Sequence, residues 1–309
     1  MARSSTVDPE VRIVAAPAAI FILLAIIIAD IPSSTIVTAF SLKGIVTGSS
    51  RLGFAQGFGC SSVGSPCGAV TSSSHRVPVL TAAVADASSS LSSATEAAAV
   101  AQAKQQIEKV ISNTDKGRSS SLTPSQRSQI LTKLTALEAI CPLVEPARDI
   151  RMDGPWIVMY TDAPPPSNGQ LGPFKGVAKQ VIDLKEGTYT NELYVGGNGK
   201  DEDENAWLSA VLMANWKEWD GVYLDHDSSE TAIGDDDKSV DYGATTWRVD
   251  FISLTLSLFQ IPLFTQKFKA GTARTWKMTY LDDDTRIVRA GKTGRDDDDW
   301  IFYMRRGSV

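Results

Sequence analysis

Side chains that carry chemistry are scarce in this chain. There are two His and three Cys in 309 residues, and only His226 and Cys141 lie beyond residue 86. A four-ligand His/Cys zinc site cannot be assembled there, and neither can a disulfide framework. Cys141, next to Pro142, reads as a small buried hydrophobe. His226 stands between Asp225 and Asp227 in an acidic insert spanning residues 225–241. A polar loop does not hold an imidazole rigidly against a nucleophile, as general-base catalysis requires. The Asp runs at 235–237, 282–284 and 296–299 lack the spacing of a calcium loop and read as charged hairpin tips. Gly196-Gly197-Asn198-Gly199 has no helix after it that would make a phosphate loop. Basic surplus is missing too: the net charge is -6, which argues against a nucleic-acid partner. The expectation is a protein with no catalytic residue, no metal and no cofactor.

Acidic residues are themselves missing from one stretch. Residues 40–85 hold Lys43, Arg51 and Arg76 but no Asp or Glu, while the chain from Asp86 onward carries 25 basic and 33 acidic residues. Ahead of that stretch, residues 13–29 are uncharged and apolar, closed by Asp30 and Pro32 and followed by small residues. Seventeen residues suit a signal-peptide core better than a membrane span. Residues 1–39 therefore read as a signal peptide. The Ser, Gly, Ala and Val-rich, acid-free residues 40–90 read as transit-peptide-like sequence. Such a two-part leader resembles those of algae whose plastids lie within extra membranes, where cleavage falls between a small residue and Phe. Ala39-Phe40 fits that pattern.

The body, residues 95–309, opens with two amphipathic helices. Residues 94–111 are rich in Ala, Gln, Lys and Glu, with Ile107, Val110 and Ile111 on one face. Thr123-Pro124-Ser125-Gln126 starts a second helix whose apolar stripe is Ile130, Leu134, Leu137 and Ile140. From Gly154 the pattern changes to strands at 156–160, 177–184, 189–195, 207–216, 247–258, 274–281, 286–288 and 300–304. Asp220-Gly221 reads as a hairpin turn. About eight strands with no helix among them predict an antiparallel barrel or sandwich.

Two phrases resemble the plastid lipid-associated protein (fibrillin) family. The first is Lys116-Gly117, then Leu137-Glu138-Ala139-Ile140-Cys141-Pro142 and Gly154-Pro155-Trp156-Ile157-Val158-Met159-Tyr160-Thr161. The second is Thr279-Tyr280-Leu281-Asp282-Asp283-Asp284-Thr285-Arg286-Ile287, followed by a basic-Gly turn and Trp300-Ile301-Phe302-Tyr303-Met304-Arg305. Trp247-Arg248-Val249-Asp250-Phe251 resembles the middle strand. The resemblance implies a lipocalin-like antiparallel β-barrel of about eight strands preceded by two helices. It also implies a plastid protein, not an enzyme, on the plastoglobule or the stroma-facing thylakoid surface, bound to a fatty acid, carotenoid or prenylquinone. A docking role beside a thylakoid complex or a quinone-synthesis enzyme is the alternative. An enzyme working on an isoprenoid through Asp282 or Asp183 is a third class.

Period-two spacing puts Trp156, Val158 and Tyr160 on one face, likewise Trp276, Met278 and Tyr280, and Trp300, Phe302 and Met304. These residues either fill the core or line a lipid pocket open at one end. Arg286 either neutralises an acid head-group there or pairs with Asp282 across the turn. Leu256, Leu258, Phe259, Ile261, Leu263 and Phe264 exceed what one strand needs for a core, which marks them as candidates for membrane contact.

Overall fold

A computed structural model describes residues 82–196, 206–225 and 240–307. Residues 1–81, with the expected signal peptide at 1–39 and most of the expected transit-peptide-like segment at 40–90, lie outside the described residues, as do the turn residues 197–199, His226 and the Asp run at 235–237. Helix α1 spans Ala82–Ile111 and α2 spans Pro124–Glu138. Among the described residues eleven strands follow: β1 Gly154–Thr161, β2 Gln170–Leu171, β3 Phe174–Lys175, β4 Val177–Asp183, β5 Thr188–Val195, β6 Leu208–Glu218, β7 Thr246–Leu258, β8 Ile261–Lys267, β9 Ala273–Leu281, β10 Thr285–Gly291 and β11 Trp300–Arg306. The chain divides into two compact units, one of which ends at Gln102 within α1. From Ala103 on, the helix belongs to the unit that contains the strands.

Helix α2 starts as its sequence requires. Thr123 Oγ1 accepts from the Gln126 amide at 3.2 Å and Gln126 Oε1 accepts from the Thr123 amide at 2.8 Å, a reciprocal cap with Pro124 at the first helical position. Ile130, Leu134 and Leu137 are buried. The helix stops at Glu138, so Ile140 falls off the apolar stripe and is exposed.

The strands form an antiparallel sheet in the order β6-β5-β4-β1-β11-β10-β9-β7-β8, and pairing of β6 with β7 closes it into a ring. Both β8 and β9 lie on the same side of β7, since β6 occupies the other side along its length: Ser253 faces Lys267 and Asp250 faces Ala273. β8 and β9 are thus two halves of one long strand broken at residues 268–272. Asp220-Gly221 makes no hairpin, because β6 pairs with β7 across the acidic insert.

Burial patterns show which wall the helices cover. β4 alternates iBiBiBi and β6 begins BiBiB, with one face inward and one toward solvent. β1 and β10 carry runs of four buried residues, as strands do when both faces are covered. The cover is α2 and the part of α1 from Ala103 on. Arg289 pairs with Glu138 of α2 at 2.7 Å, Lys104 of α1 pairs with Asp282 at 2.6 Å, and Arg305 bonds Glu108.

The link from α1 to α2 is fixed by a close approach. Gly117 sits at φ +91, and a Cβ there would stand 1.9 Å from the Thr161 carbonyl oxygen. Gly117→Ala combines left-handed strain with a clash against backbone, so a loss of about 2–4 kcal/mol in urea unfolding is expected.

One end of the ring is capped by two 3-10 turns, Pro146–Arg148 and Ile150–Met152. Trp247 Nε1 donates to the Ala147 carbonyl at 3.1 Å and Trp156 Nε1 to the Met152 carbonyl at 2.9 Å. The Arg151 guanidinium holds the Asp149 carboxyl down to about 2 from its ordinary 3.8. A carboxyl lowered on folding contributes stability above its unfolded value and loses it as pH falls through the folded one. The melting temperature should therefore fall between about pH 4 and pH 2, and Arg151→Met should flatten that fall.

Candidate functional site

The ring interior is built from the inner faces of β1, β4, β5, β6, β7, β9, β10 and β11. Trp156, Val158, Trp247, Trp276, Met278, Phe302 and Met304 are all buried in one cluster, with Trp300 packed against it. Rings interlock there: Trp216 stacks on Trp247 at 4.1 Å, and Tyr189 and Phe302 lie 5.0 and 5.7 Å from Trp276. A cavity of about 30 Å³ remains beside Ala163, Asn191, Phe251, Trp276 and Trp300. That is room for one water molecule. The aromatic lining therefore fills this part of the ring.

Two of the expected lining residues are elsewhere. The β1–β11 register shifts between Val158 and Tyr160, and the β9–β10 register shifts where Ile287 faces Tyr280 and Val288 faces Met278. Each bulge inserts one residue, so a side chain two positions on no longer shares the face. Tyr160 pairs with Tyr303, and Tyr280 with Ile287, outside the inner cluster. Tyr280 instead donates to Asp282 Oδ2 at 2.5 Å. Cys141, expected in the core, is half-buried with a free thiol.

Arg286 does not pair with Asp282. Its side chain points into the ring, where Nη2 bonds Gln180 Oε1 and lies 3.3 Å from the Met304 sulfur, and its guanidinium stands 5.1 Å from the Trp156 ring. Burial pulls its pKa down to about 9, so it keeps its charge at neutral pH. Asp282 meets Lys104 and Tyr280. No cluster of three His, Cys, Asp or Glu that could hold a metal ion occurs among the described residues.

Beyond the capped body, β7 and β8 run on as a hairpin. Its turn is Phe259-Gln260, with φ +47 and +66, between Leu258 and Ile261. Both central residues are left-handed, as a two-residue type I′ turn demands, and Asn-Gly is the usual pair there. Phe259 and Ile261 are 65% exposed, Leu263 43% and Phe264 49%. Leu256 and Leu258 are only partly exposed, because they pack with Leu193, Val195, Leu208 and Ala210 on the inner face of β5 and β6. The six membrane-contact candidates therefore separate into four at the surface and two that anchor the hairpin. The 7-residue strand β8 escaped the sequence reading because Gln260 and Pro262 look like interruptions. Gln260 is the turn, and Pro262 sits at a bulge on the edge strand.

A charge signal accompanies the hairpin. Residues 251–281 hold Lys267, Lys269, Arg274 and Lys277 and no acidic residue, in a chain of net charge -6. That signal was available from the sequence but stands out only once these residues are seen to form one wall. No family model matches the chain, and no curated protein matches it.

Proposed function

We propose that this is a plastid lipid-associated protein of the fibrillin kind, a lipocalin-like barrel without enzymatic activity. It sits on an anionic lipid surface, thylakoid or plastoglobule, through the β7–β8 hairpin. The observation that carries the reading is the half-exposed apolar group Phe259, Ile261, Leu263 and Phe264 in the stretch 251–281, which holds Lys267 and Lys269 and no acidic residue. Apolar side chains projecting from a hairpin can enter the headgroup boundary while nearby lysines meet anionic headgroups. Phe259 adds a second support. A bulky residue at φ +47 costs about 1–2 kcal/mol relative to Gly or Asn. A large exposed ring kept at a strained position contributes little to the fold and suits contact with something else.

The test is co-sedimentation of the full chain with vesicles of neutral lipid alone and of neutral lipid mixed with phosphatidylglycerol. Binding that requires the anionic lipid and weakens with salt supports the reading. Equal failure on both vesicles overturns it, and capture of a partner protein along the open edge of β8 then becomes the alternative. Phe259→Asn should raise stability by about 1 kcal/mol, read by urea unfolding, and weaken vesicle binding at the same time.

A further inference from the structure

The helices cover the side of the ring that carries β9, β10 and β11. The opposite side is the outer face of β4, β5, β6 and β7. Strand register lays its side chains in rows, the middle one being Lys179, Glu192, Val211 and Thr255. One flanking row runs from Val177 to Ser257 and the other from Val181 to Ser253, and neither holds a charged residue. Lys179 and Glu192 are thus the one charged pair of these rows, and the polar groups around them satisfy one another. Glu192 accepts from the Thr190 hydroxyl at 2.8 Å and the Tyr194 hydroxyl at 2.9 Å, and meets Lys179 at 3.6 Å. The hydroxyls of Thr255 and of Thr265 on β8 bond each other at 3.1 Å, and Lys267 stands at the rim. What remains directed outward is apolar. Val211 lies at the centre, Met213 is 46% exposed and Ile252 beside it is 42% exposed. The chain as a whole carries a net charge of -6. Like charge keeps copies of an acidic chain apart, and a neutral face is where two copies meet without that repulsion. A strongly basic or acidic partner finds no complementary charge on it.

We propose that the outer face of β4–β7 is the contact between two copies of this chain, related by a two-fold axis along β6. Sheets packed face to face keep their strands within about 30° of each other, so that axis lays β6 on β6 and β5 on the partner's β7. Val211 then meets the partner's Val211, Met213 meets the partner's Met213, and Glu192 meets the partner's Thr255 and not a second carboxylate. The face measures about 20 Å across the strands and about 20 Å along them, or about 400 Å² per copy. Twice that area falls below a standard stable interface, so the dimer is weak and depends on concentration. An axis along the strands leaves both β7–β8 hairpins at the same end. On a lipid surface two hairpins then bind as one bivalent unit, a consequence that rests on the proposed lipid contact, whereas the dimer itself does not.

Sedimentation equilibrium of the full chain from about 1 to about 200 µM should show monomer and dimer in exchange. Val211→Lys and Val211→Glu should each be monomeric across that range, because the axis sets like charges against each other. An equimolar mixture of the two should associate again. Met213→Lys and Met213→Glu repeat the test if either Val211 variant fails to fold. A monomer at every concentration overturns the proposal. So does association that persists in both single variants, or a mixture that does not associate. Vesicle binding is the second readout. Each monomeric variant should bind anionic vesicles at least about tenfold more weakly than the unmodified chain, and the mixture should recover. A dimer lost with vesicle affinity unchanged supports the interface and overturns the shared-end arrangement of the hairpins. If the unmodified chain binds no vesicles, the lipid contact falls and sedimentation still decides the dimer.

Discussion

Replacing Phe259, Ile261, Leu263 and Phe264 together by Ser will release the protein from anionic vesicles without unfolding it. Full burial of one such side chain contributes about 1.5–3 kcal/mol. These four are already about half covered in the free protein, so insertion has about half of that left to gain from each. The total is about 3–6 kcal/mol, which is roughly two to four decades in the partition constant. The fold should lose far less, because the hairpin is anchored by Leu254, Leu256 and Leu258 against β5 and β6, and those residues stay. Lys267→Glu with Lys269→Glu should weaken binding by a further few kcal/mol at low salt and much less at high salt, since about 1 kcal/mol per basic residue is a screened, near-surface effect. Co-sedimentation across a salt series reads both. A quadruple variant that binds vesicles like the unmodified chain would move the lipid contact off this hairpin.

Strand positions were legible because aromatic and β-branched runs bounded by Gly, Pro and Asp are local signals. Eight expected strands correspond to β1, β4, β5, β6, β7, β9, β10 and β11. The two helices were legible for the same reason. Faces were less secure. Period-two counting from Trp156 or Trp276 is right until a bulge inserts one residue, and nothing local announces the bulges beside Tyr160 and Tyr280. The same failure affects Ile252, which period-two counting would put on the face of Leu254 but which is the extra residue where Met213 faces Ser253 and Ala214 faces Phe251. Closure followed only from the family resemblance, since strand signals left barrel and sandwich open and the pairing of β6 with β7 spans the acidic insert. Arg286 shows the limit for site residues. An Arg four residues from Asp282 invites a local ion pair, yet its strand position aims it inward at Gln180, 106 residues away in sequence.

Trp156→Ala should be the most damaging single core change tested, at about 3–5 kcal/mol from lost burial and the cavity left behind. Trp156 is fully buried, its indole N–H meets the Met152 carbonyl at 2.9 Å, and the guanidinium groups of Arg306 and Arg286 stand 4.1 and 5.1 Å from its ring. Arg306 ends the last strand and ties it back, donating to the Asp153 carbonyl at 2.7 Å, the Asp283 carbonyl at 2.8 Å and the Arg151 carbonyl. The first strand of the ring, its last strand and the 3-10 cap therefore meet on one indole. Trp156→Phe keeps an aromatic face for both guanidinium groups but loses the N–H bond and some volume, so about 1–2 kcal/mol is expected from it. The difference between the two variants, read from urea unfolding midpoints, reports what the aromatic surface under the arginines contributes. Equal losses would place the whole effect in the bond to Met152. A loss under about 1 kcal/mol for Trp156→Ala would mean that pairing of β1 with β11, and not the indole, holds the ring closed.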